Sequence, residues 1–136
     1  MPNTVREWMS SPVVIVDPES SVSYAVTLMR RRNIHSLVVD KTEADSTYGI
    51  FTTTDILDKI VSAGRSASGT RVRAIASRPV LTAKPEWTLK DCSEIMQEHH
   101  IHHMPVTDKD GSLIGMISAT DIFIAVEETG WEEKKD

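Results

Sequence analysis

The chain has 136 residues, 40% hydrophobic and 26% charged, which suits one ordinary domain with a real core. A net charge of −5 denies it the broad basic field that non-specific nucleic-acid binding requires, so DNA and RNA are not expected partners. Its one cysteine, Cys92, excludes an internal disulfide, and with no signal core and no apolar run longer than residues 122–126 no membrane span is expected and the expected location is cytoplasmic.

In chain order, residues 5–9 predict a short helical lead-in and residues 13–16 a buried strand stopped by Asp17 and Pro18. Ser21 is placed to cap a helix in which Val22, Ala25, Val26 and Met29 recur at i, i+3, i+4 and i+7. Arg30, Arg31 and Arg32 fall in its last turn, where cations suit the helix dipole. Residues 37–39 and 48–51, joined by a polar loop, predict a strand pair, and a helix follows to residue 61. The order is β-α-β-β-α. Residues 62–70 are small, polar and without period, and read as a connector.

The same order then returns. A strand is expected at 80–82, and Thr88 is placed as an N-cap with Asp91 at the third helical position. Trp87 precedes that cap and suits a hydrophobic staple onto Cys92. Leu89, Cys92, Ile95 and Met96 form a buried stripe, residues 104–106 a strand, and residues 108–111 a turn that lacks the spaced oxygen ligands of a calcium loop. From Glu127 a Glu/Lys-rich tail is expected to fray except where Trp131 docks.

Slid against itself by 67 places, the sequence superposes Val5 on Val72, Ser10 on Ser77, Pro12 on Pro79, Pro18 on Pro85 and His35 on His102. After a one-residue drop in the hairpin loop, Gly49, Thr54, Asp55 and Ile56 meet Gly115, Thr120, Asp121 and Ile122. This is an internal repeat. It divides the chain into a first repeat at 3–63, a linker at 64–70, a second repeat at 71–128 and a charged tail at 129–136.

Each repeat ends a strand on a hydroxyl residue, Thr52 or Ser118, with an acid three positions on, Asp55 or Asp121. Such a strand-to-helix corner can be a self-contained cap, the hydroxyl and the acid satisfying the helix's orphan N–H groups. It can equally bind an anion at the helix N-terminus while the carboxylate accepts the two hydroxyls of a ribose. The corner itself leaves both readings open.

Four of the five histidines cluster at His99, His100, His102 and His103. A metal site is one reading, but the segment crosses from a helix end into a strand and lacks a cysteine or carboxylate to complete a ligand set. His35 occupies the place of His102, so one role twice, beside a bound phosphate or as a polar helix end, fits the pattern. A phosphate-loop lysine motif, a dinucleotide glycine fingerprint, a Gly-x-Ser-x-Gly elbow and a His-Glu-x-x-His motif are all missing from the sequence. Duplicated polar features suit binding better than catalysis.

The duplicated order closely resembles a tandem pair of cystathionine-β-synthase (CBS) domains, the Bateman module, over about residues 3 to 128. The likeness rests on Val5, Arg6, Glu7, Trp8 and Met9; on the helix starts after Pro18 and Pro85; on Ile34, His35, Ser36, Leu37 and Val38 with Ile101, His102, His103, Met104 and Pro105; and on the two Gly-to-Asp corners. It implies an α/β (α+β) fold of two pseudo-twofold-related β-α-β-β-α repeats packed sheet to sheet. Two clefts between them would receive AMP, ADP, ATP or S-adenosylmethionine.

By the resemblance, Asp55 and Asp121 hold ribose hydroxyls beside Thr52 and Ser118, and adenine lies against Ile34 or Ile101 near Ser11 or Arg78. Phosphates would reach the opposite repeat, pairing Asp55 with His102 and His103, and Asp121 with His35 and Ser36. Many nucleotide-binding relatives carry Arg where this chain has His103 or Ser36, which implies modest phosphate affinity. The expectation is a stand-alone, non-enzymatic regulatory module with no cofactor and no metal, a homodimer that signals to a partner protein. The alternatives are a ligand-free interaction scaffold, and a metal-responsive module or metal-dependent enzyme built on the cluster from His99 to His103.

Overall fold

The computed structural model describes residues 3–131. These form two compact units: one is Val14–Val80, and the other joins the described residues up to Val13 to those from Leu81 onward. One unit is thus a continuous run, and the other joins a short lead-in to a stretch far from it in sequence.

In the Val14–Val80 unit, β1 (Ile15–Val16) runs parallel to β2 (Ser36–Val39), which pairs antiparallel with β3 (Gly49–Thr52). β1 is shorter than the hydrophobic run at 13–16 predicts, and only Val16 of its two residues is buried, because one face of this edge is left to solvent. Helix α2 (Val22–Arg32) starts where Ser21 Oγ accepts the Tyr24 N–H at 3.1 Å. It buries Val22, Ala25 and Met29 on the sheet and stops where Asn33 takes a left-handed conformation at φ 54°. Helix α3 (Thr53–Ile56) runs into a π-helical turn (Leu57–Val61), in which the Ser62 N–H reaches back five residues to the Leu57 carbonyl at 2.9 Å.

The polar connector is structured rather than loose. Thr70 is buried and donates to the Ser66 carbonyl at 2.6 Å, and Ser23 and Val22 donate to the Ala67 and Thr70 carbonyls. After it, a 3-10 turn (Val72–Ala74) docks on the start of α2, the Val72 N–H bonding the Ser20 carbonyl at 2.8 Å.

The other unit repeats this plan. Helix α1 (Val5–Trp8) docks on the start of α4 (Leu89–His99) through the Val5 N–H and the Trp87 carbonyl at 2.9 Å, the counterpart of Val72 on Ser20. Val5 and Val72 are both fully buried. Strand β4 (His103–Thr107) pairs antiparallel with β5 (Leu113–Ser118), and α5 (Ala119–Thr129) follows directly.

Two expectations are corrected in this unit. Residues 80–82 form no strand, and the pairing reduces to a single parallel bridge between Ala83 and Val106. The Val80 N–H is taken by the Tyr48 carbonyl, and it is Ala83 that meets β4, its N–H on the Pro105 carbonyl at 2.8 Å and its carbonyl accepting the Thr107 N–H at 3.0 Å. The region from Glu127 is also not frayed at once: α5 continues to Thr129, and Gly130 at φ 71° ends it and turns Trp131 back onto the core. The rest of the tail, 132–136, lies outside the described residues. Among the described residues no helix is long and apolar enough to cross a membrane.

Candidate functional site

Both corners are built as capping boxes. In the Val14–Val80 unit, Asp55 Oδ2 accepts the Thr52 N–H at 2.8 Å and the Thr52 hydroxyl at 3.2 Å, and the Asp55 N–H returns to Thr52 Oγ1 at 3.4 Å. In the other unit, Asp121 Oδ2 accepts the Ser118 N–H at 2.8 Å and its hydroxyl at 3.0 Å, and the Asp121 N–H returns to Ser118 Oγ at 3.2 Å. The carboxylates are therefore oriented by their own backbone before any ligand arrives.

The strand before each corner comes to the same place. Ser36 is paired with Thr52 and His103 with Ser118. The His35 carbonyl accepts the Thr53 N–H at 3.1 Å, and the His102 carbonyl accepts the Ala119 N–H at 2.9 Å. Ile34 and Ile101 are half-buried, bonded back to Met29 and Met96 at the ends of α2 and α4. The fold thus brings Ile34, His35, Ser36, Thr52 and Asp55 together in one unit, and Ile101, His102, His103, Ser118 and Asp121 in the other.

The two corners differ in the second carboxylate oxygen. Asp55 Oδ1 lies 3.0 Å from Lys59 Nζ, which also donates to the Ile75 carbonyl at 2.9 Å. At the aligned position in α5 stands Ala125, fully buried. Among the described residues, Asp121 Oδ1 has no such cation. Lys59 was not among the residues singled out from the sequence. Its signal was the Asp-to-Lys spacing of four on a helix, present in one repeat and absent from the other.

Arg78 is held close to the hairpin loop of its own unit. Its guanidinium donates to the Thr47 carbonyl and, at 2.9 Å, to the Asp40 carbonyl, and Nε lies 3.8 Å from Asp45 Oδ2. Hydrogen bonds from Thr47, with Arg78 adding a smaller share, hold the Asp45 carboxyl below its ordinary range. Ser11 is exposed and precedes a cis peptide to Pro12, as Arg78 does to Pro79.

The histidine cluster is broken by the helix stop. His99 ends α4, His100 takes the left-handed cap at φ 55°, the counterpart of Asn33, and His103 opens β4. Among the described residues, no three His, Cys, Asp or Glu side chains are grouped to hold a metal ion. His100 and His102 instead line a depression of about 550 Å³ with Met96, Gln97, Ile101 and Ile122, a volume within the usual range of small-molecule sites.

The sequence matches the model of the CBS domain twice, over residues 5–62 and 72–128. It is 26% identical over 122 residues to the CBS domain-containing protein YhcV of Bacillus subtilis, covering 90% of this chain and 84% of that protein. It is 36% identical over 111 residues to the mitochondrial CBS domain-containing protein CBSX3 of Arabidopsis thaliana, covering 79% of this chain but only 53% of the relative. The fold superposes, with a TM-score of 0.82 and 20% identity, on the CBS domain pair of protein MJ0100 in complex with 5′-methylthioadenosine and S-adenosyl-L-methionine, covering 95% and 99% of the two chains. At that identity the likeness is one of fold.

Proposed function

Since the chain belongs to the CBS-domain family, we propose that it is a non-enzymatic regulatory module that binds an adenine nucleotide or a related adenosyl ligand at its strand-to-helix corners and passes occupancy to a partner protein. The observation that carries this reading is the preset carboxylate. Asp121 is fixed by Ser118 through one oxygen, and among the described residues no cation pairs with the other, the oxygen that would accept hydroxyl donors. A vicinal diol fits such an acceptor, and the N-terminal end of α5 beside it favours a ligand that carries negative charge. Ile101, half-buried just before β4, supplies apolar surface in the same unit. In protein MJ0100 a pair of this fold holds adenosine compounds, which is consistent with this ligand class.

Regulation requires that the ligand bind two conformations with different affinity. The test is calorimetric titration of nucleotide-stripped protein with AMP, ADP, ATP and S-adenosylmethionine, repeated on Asp55→Ala and Asp121→Ala. Saturable binding lost in a folded aspartate variant supports the reading. Absence of heat with all four ligands favours the scaffold, a reading that the self-satisfied caps also fit.

A further inference from the structure

We propose that Lys59 makes the two corners unequal, acting as a built-in occupant that keeps a ligand diol away from Asp55 and leaves Asp121 as the accepting carboxylate. The inference rests on the functional reading above and assigns which of its two corners is used.

Three features lead to it. First, both oxygens of Asp55 are engaged, Oδ2 by Thr52 and Oδ1 by the Lys59 ammonium, and the residue is 8% exposed. A diol arriving there must displace a cation and supply neutral donors in its stead, a poor exchange for a carboxylate. Second, the ammonium is tethered at two points, by Asp55 and by the Ile75 carbonyl, so it is held in place by more than a flexible surface contact. Third, the backbone differs where Lys59 sits. In the π-helical turn Ile60 is the buried residue, whereas in α5 the buried residue is Ala125, one alignment step earlier. The wide turn lets the larger Ile60 reach the core and leaves position 59 free to carry a long cationic side chain, where α5 must bury a methyl group.

The opposite role for Lys59, attracting the anionic part of a ligand, predicts the reverse outcome in one experiment. Wild type, Lys59→Met, Asp121→Asn and the double variant are titrated calorimetrically with AMP and with S-adenosylmethionine. Circular dichroism establishes folding, and Lys59→Gln serves as a second variant should Lys59→Met not fold. We expect one equivalent per chain in wild type, a tenfold or greater loss of affinity in Asp121→Asn, and two equivalents in Lys59→Met. The double variant should regain one equivalent. Release of the ion pair should tighten the Asp55 corner roughly fivefold or more.

Two equivalents in wild type, unchanged binding in Asp121→Asn, or weakened binding in Lys59→Met each overturns the inference while the functional reading stands. No binding in any folded variant removes the functional reading, and the inference with it.

Discussion

Ile50 and Ser77 exchange backbone hydrogen bonds in both directions, each 2.9 Å long, and Met116 and Ser10 do the same at 2.9 and 2.8 Å. The two lead-ins, 67 residues apart, thus lie against the two corner strands in the same way. Their close approach explains why each corner strand carries a glycine. A Cβ on Gly49 would sit 2.9 Å from the Ser77 carbonyl oxygen, and one on Gly115 would sit 2.5 Å from Met9 Sδ and 3.0 Å from the Ser10 carbonyl oxygen.

Gly49→Ala should therefore destabilise the fold by about 1–3 kcal/mol, because the obstructing atom is backbone and cannot rotate aside. Gly115→Ala should cost less, since the Met9 thioether can move and only the contact with the Ser10 carbonyl is left to relieve. Urea unfolding midpoints of the two variants give the comparison. Equal midpoints with wild type would show that the lead-ins yield freely.

Much of this was legible in the sequence because it depends on local chemistry. Ser21, Thr52, Thr88 and Ser118 cap the helices at the predicted residues, and the strand pairs fall within a residue or two of the apolar runs. What was not legible depends on partners distant in sequence. The loss of a strand at 80–82 turns on the Val80 N–H finding Tyr48, and the extension of α5 through Glu127 and Glu128 turns on Gly130 and the docking of Trp131. The engagement of Asp55 by Lys59 needed the helix geometry, although its spacing was visible.

Removing the cap acid should affect the two corners unequally. Asp121→Ala deletes the acceptor of two bonds from Ser118 and should cost about 1 kcal/mol. Asp55→Ala deletes the same two bonds and also strands Lys59; with that lysine partly exposed the addition is small, giving about 1–2 kcal/mol. The check is the pair of urea midpoints without ligand, with Asp55→Ala the lower.

Cys92 is fully buried on the core face of α4, and burial raises its thiol from 9.0 to about 11. The folded state binds the proton more tightly than the unfolded state does. The contribution is therefore complete below pH 9 and lost as the pH climbs from 9 to 11, on the order of 3 kcal/mol at most. At mildly alkaline pH iodoacetamide should leave native Cys92 unmodified and label it fully in urea. Cys92→Ala should flatten the fall in stability across that window; a slope identical to wild type would assign the alkaline loss to other groups.

Leu57 and Phe123 occupy the same place in the two repeats and are 59% and 70% exposed, with Val61, Ile124 and Val126 exposed near them in sequence on the same two helical segments. Large apolar side chains left in water favour association, and a homodimer held through the helices is the expectation that these positions test. Wild-type protein at micromolar concentration should sediment as a dimer. Phe123→Glu should shift it to monomer with little change in unfolding midpoint, because the side chain lies outside the core. Leu57→Glu tests the matched position: if only Phe123→Glu dissociates the dimer, the contact is confined to α5. A wild-type monomer at that concentration would overturn the homodimer.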